Sequence, residues 1–293
     1  MSLQHKIDFA VIISVDHANP NGDPLNGNRP RTDYEGFGEI SDVCLKRKMR
    51  DRLLEQGQAI FVQSDDRKVD GMQSLAARAT SNEFGLGEDA FQLSKKDKNQ
   101  LGKKDATAKR ACAKWYDVRA FGQLFAFKAK KGKDDTDADG VSIAIRGPVS
   151  VQSAYSVEPV IVTTIQITKS VSGEGDGSKP ASDTMGLKHR VDKGVYVFYG
   201  SINPQLAERT GFSDEDAATL KDVLPRLFEN DGSSARPEGS MSVQTVFWWE
   251  HNCASGQFSA AKVHKSLKVN ADGTYALDAS ATPGLIPEII PGF

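Results

Sequence analysis

The sequence has few cysteines, and their arrangement suggests neither a cross-link nor a metal site. Only three occur in 293 residues, Cys44, Cys112 and Cys253, with no CxxC spacing and no adjacent pair of histidines. Disulfide frameworks need an even, closely spaced set of cysteines, and structural zinc sites need paired ligands. We therefore expect three reduced thiols, and neither a disulfide-stabilised fold nor a zinc protein.

A large excess of charge of either sign is also lacking. The 37 lysine and arginine residues against 39 aspartate and glutamate residues give a formal net charge of -2, so overall charge does not indicate a nucleic-acid partner. The distribution is uneven, because residues 1–150 carry 25 basic and 22 acidic side chains and residues 151–293 carry 12 and 17. An anionic ligand should therefore prefer the first half.

No apolar run is long enough to span a membrane, and no enzyme motif stands out. The apolar stretch IDFAVIISV has nine residues, whereas a spanning helix needs about 20. The sequence has no GxSxG, Walker A or HExxH motif, and its five histidines are scattered. We expect a cytoplasmic globular protein without membrane contact, and the motifs give no reason to expect an enzyme.

The apolar patterns alternate between strands and helices. Residues 7–15 have the continuous β-branched character of a buried central strand, and a helix capped by Ser41 and ended by Gly57 follows. The next clear elements are a strand over 115–127, a strand over 191–203, a helix over 213–230 that is capped by Ser213, and a strand over 241–251. This order favours an α+β fold of the RRM-like (ferredoxin-like) type over a doubly wound parallel sheet, which alternates more regularly.

Residues 16–33, DHANPNGDPLNGNRPRTD, form a loop rich in Asn, Asp and Gly directly after the first strand. A calcium loop is disfavoured, because the sixth position counted from Asn19 is Pro24 rather than Gly. Two interpretations remain open from the residues alone. The loop is either a set of Asx turns or a phosphate-binding loop in which Arg29 and Arg31 supply the charge.

Three further groups are candidates for contact with nucleic acid, each with a plain structural alternative. Lys46, Arg47 and Arg50 form a basic stripe on the first helix, which could equally be a solvated face. Arg119 beside Phe121 could stack on a base, or it could pair with Asp117 next to a core aromatic. A further candidate is His189 between Lys188 and Arg190, although a lone histidine is more often structural.

Five segments together resemble the Cas-seven superfamily of CRISPR-associated proteins, and specifically its type I-C branch. They are NPNGDPLNGNRPRTD, ISDVCLKRKMRDRL, DVRAFG, IRGPVSVQSAYSVEPV and HRVDKGVYVFYGSIN, and they occur in order between about residues 5 and 250. The resemblance implies a backbone subunit of the interference complex Cascade. Its expected partners are the guide RNA (crRNA), copies of itself in a helical filament, other Cascade subunits, and target DNA through the guide.

The resemblance also implies a domain organisation: an RRM-like palm with inserted helical fingers and a β-hairpin thumb. The expected ranges are palm 1–57, fingers 58–114, palm 115–167, thumb 168–190, and palm with a C-terminal tail 191–293. No cofactor, metal or catalytic residue is expected. The runner-up is a metal-dependent ribonuclease of the same superfamily, for which Asp23 or Asp33 would be the candidate loop aspartate.

In the family, basic residues of the first palm helix and the loop after the first strand lie along the guide backbone. This assigns Lys46 and Arg50, with Arg47 less directly, and it favours the loop residues Asn21, Asn28, Arg29 and Arg31. Weaker expectations rest on membership of the other quoted segments and on side-chain chemistry. They concern Arg119, Phe121, Arg146, Gln152, Ser153 and His189.

Overall fold

The computed structural model of the chain describes residues 1–92, 100–127, 141–168 and 185–293. Its strands are β1 (Ile7–Ala18), β2 (Gly22–Asp23), β3 (Arg29–Pro30), β4 (Phe37–Ile40), β5 (Gly122–Phe127), β6 (Val141–Arg146), β7 (Val149–Val151), β8 (Ala154–Pro159), β9 (Val162–Thr168), β10 (Met185–Ile202), β11 (Met241–Glu250), β12 (Leu267–Val269), β13 (Tyr275–Leu277) and β14 (Glu288–Pro291). Its helices are α1 (Asp42–Glu55), α2 (Leu75–Thr80), α3 (Gln100–Lys114), α4 (Tyr116–Phe121), α5 (Pro204–Thr210), α6 (Asp214–Val223) and α7 (Ala260–Ser266). Within these described ranges, no helix is both long and apolar enough to cross a bilayer.

The fold is a mixed α and β structure built on a large antiparallel sheet. The strand order is β14-β11-β1-β10-β8-β4, and β7 and β9 also pair with β10. Strand β1 lies in the middle, antiparallel to β10 on one side and to β11 on the other. A central strand buried on both faces has no need for polar alternation, which explains the unbroken apolar run in the sequence.

Both faces of the sheet are covered. On one face, alternate residues of β1 such as Phe9 and Val11 pack against Leu45 and Met49 of α1 and against Leu220 of α6. The opposite face, represented by Ile12 and Trp249, packs against Val263 of α7 and against Leu267 and Leu285. The C-terminal region therefore closes the face that α1 and α6 leave open.

A second, smaller hydrophobic cluster lies outside the sheet. Its centre is aromatic, with Phe61, Trp115 and Phe125 in mutual contact at ring-centroid distances of 4.7 to 6.2 Å. The cluster also contains Val118 and Ile143. This packing unit therefore extends past residue 114, where the sequence suggested that the insertion would end.

The helix ends follow the capping signals of the sequence. The Ser41 hydroxyl accepts a hydrogen bond from the Cys44 N–H at 3.3 Å at the start of α1. Ser213 and Asp216 form a reciprocal capping box at the start of α6. After α1, Gly57 has a φ of 81°, a left-handed value that favours glycine and ends the helix.

Two expectations need correction. Residues 115–127 are not one strand, because α4 occupies Tyr116–Phe121 and only Gly122–Phe127 is extended. The reason is packing: Tyr116 and Ala120, four residues apart, share a helical face that faces the main core. Strand β10 begins at Met185, earlier than the expected strand over 191–203, because its first part pairs with β9.

Candidate nucleic-acid interface

The asparagines of the loop between β1 and β4 hold its shape. The Asn21 side-chain oxygen accepts hydrogen bonds from the N–H and the hydroxyl of Ser41, both at 2.9 Å, and so fixes the loop to the start of α1. Asn28 has a left-handed φ of 59°, and its carbonyl accepts from the Asn19 side chain at 2.7 Å. Both contacts join residues at least nine positions apart, so they are not Asx turns, in which a side chain bonds to the backbone two residues on. They use the side chain of Asn21 within the fold.

The two aspartates considered for catalysis are also engaged in local structure. Asp23 accepts from the Leu25 N–H at 3.2 Å and from Arg31 at 3.4 Å. Asp33 accepts from the N–H groups of Glu35 and Phe37 at 3.0 and 2.9 Å. Across the described ranges, no three His, Cys, Asp or Glu residues are grouped in a way that could hold a metal ion.

Arg29 connects the loop to the hairpin formed by β9 and β10. Its guanidinium donates to the Thr164 hydroxyl at 3.0 Å, and that hydroxyl lies 2.9 Å from Nδ1 of His189. Two candidates from the sequence, Arg29 and His189, thus meet through Thr164, to which no motif of the sequence points. A single threonine in a strand carries no sequence signal of its own.

Arg31 faces the inside of the loop. Besides its contact with Asp23, its backbone N–H donates to the Asn21 carbonyl at 3.0 Å. Its Nε is buried and has no hydrogen-bond partner among the described residues. Arg31 therefore braces the loop with part of its guanidinium, while the side chain is 37% exposed.

Each cation of the α1 stripe has a carboxylate partner. Lys46 lies 3.0 Å from Asp42, and Arg47 lies 3.0 Å from Asp66. Arg50 is only 13% exposed and lies 3.0 Å from Asp117, which also accepts from the N–H groups of Phe61 and Val62. Lys46 and Arg47 remain accessible at the surface, whereas Arg50 joins α1 to the second cluster.

Arg119 is likewise engaged inside the protein. It donates to both carboxylate oxygens of Asp216, at 2.9 and 2.7 Å, and lies over the Tyr116 ring at 4.9 Å from its centroid. The sequence suggested that Arg119 could pair with Asp117. In the structure, Asp117 instead pairs with Arg50, and Arg119 pairs with Asp216. A bidentate, partly buried pair of this kind fixes α4 against α6.

The remaining candidates are dispersed. Phe121 is partly buried under the Arg50 guanidinium, 5.2 Å from its ring centroid. Arg146 is exposed at the end of β6, Gln152 is exposed with its N–H bonded to the Tyr199 carbonyl at 2.9 Å, and Ser153 is partly exposed. No hydrogen bond or ion pair of the described residues joins these four to Arg29 or His189.

The hairpin has two distinct faces. Pairing of Thr164 with His189 and of Gln166 with Leu187 puts these four side chains on one face, with Met185 further along. Leu187 and Met185 are exposed there. Most of the expected thumb, residues 169–184, lies outside the described ranges.

The three cysteines are free thiols. Burial raises the pKa of Cys112 to about 11, and burial also raises the pKa of Cys44. Both therefore stay protonated at neutral pH, and a protonated thiol is a poor nucleophile.

Comparison with known proteins identifies the family of the chain. The sequence model of the family "CRISPR-associated protein Cas7" matches residues 5–283. A protein of Haloferax volcanii named CRISPR-associated protein Cas7 is 28% identical over 241 residues, which are 80% of this chain and 67% of that protein.

The chain is also similar to chains of two solved structures. One belongs to a "CRISPR RNA-guided surveillance complex, pre-nicking", with a TM-score of 0.47, 18% identity, and coverage of 83% of this chain and 75% of that one. The other belongs to a "CRISPR RNA-guided surveillance complex", with a TM-score of 0.46, 16% identity, and coverage of 92% and 77%. At these values the assignment rests on the sequence match: the chain belongs to the CRISPR-associated protein Cas7 family.

Proposed function

We propose that this chain is a crRNA-binding backbone subunit of a type I-C Cascade complex in the cytoplasm. Several copies would polymerise along one guide RNA and present it, with the other subunits, for pairing with target DNA. The observation that carries the proposal is the family match, which extends over residues 5–283 and so includes the loop, α1 and the hairpin. The proposed role is binding rather than catalysis.

The strand order supports an RRM-like palm. Reading across the sheet, β11-β1-β10-β8 is the order 4-1-3-2 of a β-α-β-β-α-β unit, with α1 and α6 as the two connecting helices on one face. In this assignment the second hydrophobic cluster corresponds to the fingers, and the β9–β10 hairpin forms the base of the thumb.

The RNA path that we propose follows the loop and the hairpin base. Arg29 has no carboxylate partner among the described residues, and through Thr164 it is held beside His189. Arg31, Lys46 and Arg47 add partly neutralised charge, Asn28 contributes polar groups, and Arg146, Gln152 and Ser153 are peripheral candidates. Arg50, Arg119, Phe121 and Asn21 would act indirectly, because their side chains hold neighbouring elements together.

Because both faces of the sheet are covered, the fold supports recognition of the RNA backbone rather than of the base sequence. In an RRM, exposed aromatics on the central strands stack on bases, but here the face that carries Phe247 and Trp249 is buried under α7 and Leu285. RNA would then be held by charge and shape along the loop and hairpin. Sequence would be read by pairing between guide and target, as in other RNA-guided effectors.

A direct test is whether the purified chain retains RNA and forms RNA-dependent oligomers. We expect a high ratio of absorbance at 260 nm to 280 nm, and large polydisperse species that collapse after nuclease treatment. Binding of a labelled single-stranded RNA, followed by anisotropy, should weaken steeply with salt. An RNA-free monomer that ignores added RNA would contradict the proposal, and magnesium-dependent cleavage abolished by Asp23→Ala would favour the ribonuclease instead.

A further inference from the structure

Tyr34 is the most exposed aromatic side chain of the protein, and every aromatic residue lies in the described ranges. Its ring is fully exposed, whereas Tyr116 and Tyr196 are completely buried and all three tryptophans are at most 3% exposed. A fully exposed ring has no packing role in the fold. It occupies the tip of the turn that follows Arg29 and Arg31, on the connection that the proposed RNA path follows.

The turn that carries Tyr34 is rigidly built. The Asp33 carboxylate accepts from the N–H groups of Glu35 and Phe37, and the Asp33 N–H donates to the Phe37 carbonyl at 2.9 Å. The Gly36 carbonyl accepts from the Val160 N–H at 2.9 Å, and this contact fixes the turn to the residues just before β9. Because the backbone is already ordered, a ligand that contacts the ring would not have to order the turn.

The charges around the ring favour a neutral partner surface. Glu35 is exposed beside Tyr34, and the Asp33 carboxylate lies at the base of the turn, so a phosphate placed against the ring would be repelled. The flat face of a base carries no net charge and stacks on an aromatic ring. Arg29, five residues earlier on the same connection, has no carboxylate partner among the described residues and is free to contact a phosphate of the same RNA.

We propose that Tyr34 stacks on an unpaired base of the bound RNA. The inference rests on the proposed function, because it names a contact within the same RNA path. It also assigns a role to a residue for which the sequence carried no signal, since a lone tyrosine in TDYEG is unremarkable until its exposure is known.

A tryptophan reporter tests the contact directly. Tyr34→Trp would add one exposed indole to a protein whose own tryptophans, Trp115, Trp248 and Trp249, are buried, so the difference in emission from the wild type reports on position 34. Titration with an unlabelled single-stranded RNA should quench that difference signal by roughly half or more, as expected for an indole stacked on a base. Anisotropy of a labelled copy of the same RNA is measured in parallel, so that binding and stacking are read separately.

A variant series separates stacking from general apolar contact. Tyr34→Phe should bind RNA like the wild type, whereas Tyr34→Ala and Tyr34→Leu should weaken binding at least about five-fold, the lower range for loss of one stacked base. Because the ring is fully exposed and has no contact among the described residues, the melting temperatures should agree.

Three results would overturn the inference. In the first, anisotropy rises on RNA addition while the difference emission of Tyr34→Trp stays unchanged, and Tyr34→Ala binds normally. This result would contradict the Tyr34 contact but would leave the proposed function intact. A blue shift of the Tyr34→Trp difference emission with protein concentration alone assigns the ring to a contact between copies. Absence of RNA binding by every variant and by the wild type refutes both proposals.

Discussion

The charged residues near the two ends of β1 differ in whether they are paired within the chain. At its start, Asp8 is completely buried and is paired with Lys6 at 2.7 Å and with His251 at 2.9 Å; Ser201 also donates to it. At its end, the loop that follows Ala18 carries Arg29, whose described partner is a neutral hydroxyl. A charge paired within the chain serves the fold, whereas a charge left without a counter-ion is available to a ligand.

The hydrogen bonds of His251 define its state at the buried end. Its Nδ1 accepts from the Gln257 N–H at 2.9 Å, so its Nε2 carries the proton that is donated to Asp8. Burial alone would raise the pKa of Asp8, but the hydrogen bonds from His251, Lys6 and Ser201 outweigh it and hold the pKa below its usual value. Asp8 is therefore ionised and fully partnered at neutral pH.

The largest effect is expected for Asp8→Ala. The substitution would leave Lys6 and His251 without their buried partner, and breaking such a buried set costs about 3–5 kcal/mol of unfolding free energy. Urea unfolding at pH 7 measures it. The matched control at the other end of the strand is Asp16→Ala, an exposed residue whose loss should change stability by less than about 0.5 kcal/mol. Similar losses in both variants would show that the buried pairing of Asp8 does not stabilise the fold more than an exposed carboxylate does.

Acid should weaken the same end of β1, by less than the substitution does. Because the pKa of Asp8 is lower in the folded state than the ordinary value of 3.8, its contribution is present above that value and is lost as the pH falls through the folded pKa. Thermal melts between pH 5 and pH 2 should show this loss in the wild type. Asp8→Asn should show a shallower dependence in that window, and an equal slope would assign the acid sensitivity to other carboxylates.

Arg119→Ala should come next in size. It removes a bidentate pair with Asp216 that joins α4 to α6, and charged hydrogen bonds of this kind contribute about 2 kcal/mol. The control is Arg209→Ala, an exposed arginine of α5, which should leave urea unfolding unchanged. The dependence of log K for RNA binding on log salt concentration should have the same slope in both variants. A reduced slope for Arg119→Ala would instead indicate that Arg119 contacts RNA.

Arg29→Ala should show the reverse pattern, with unchanged stability and weaker RNA binding. Loss of one phosphate contact lowers the slope of log K against log salt by roughly one. Anisotropy titrations over a range of salt concentrations measure it, with Arg209→Ala again as the control. Thr164→Val, which keeps the side-chain shape and removes the hydroxyl shared with His189, should reduce affinity less than Arg29→Ala; a destabilised Arg29→Ala protein would assign Arg29 to the fold.

The smallest effect is expected for Lys46→Ala combined with Arg47→Ala. Asp42 and Asp66 already neutralise these cations in part, so the double variant should weaken RNA binding only about two- to three-fold, within the range of surface charge pairs. The same anisotropy assay applies. A loss larger than that of Arg29→Ala would make α1, rather than the loop, the main contact.

The sequence was informative where the signal is local. Ser41 and Ser213 predicted the starts of α1 and α6 correctly, because a cap involves residues only three positions apart. The apolar run of β1 predicted a central strand for a similar reason. By contrast, α4 was mistaken for part of a strand, since six residues with aromatic neighbours fit either period until their packing is known.

The ion pairs could not be predicted, because their partners are distant in sequence. Arg50 pairs with a residue 67 positions away and Arg119 with one 97 positions away. A basic stripe therefore looks the same in the sequence whether it faces solvent, RNA or a carboxylate from another element. For the same reason, Thr164 and Tyr34 became candidates only once contact and exposure were known.

Strand β10 gives the protein a mechanical property. It continues without a break from the hairpin, where Met185–Val191 pair with β9, into the centre of the sheet, where it is paired with β1 as far as Ile202. At about 3.3 Å per residue, its 18 residues span roughly 60 Å. A pull on the hairpin along this strand would act in shear on the whole ladder with β1. Any partner that held the hairpin would therefore transmit force directly to β1, which is buried along most of its length.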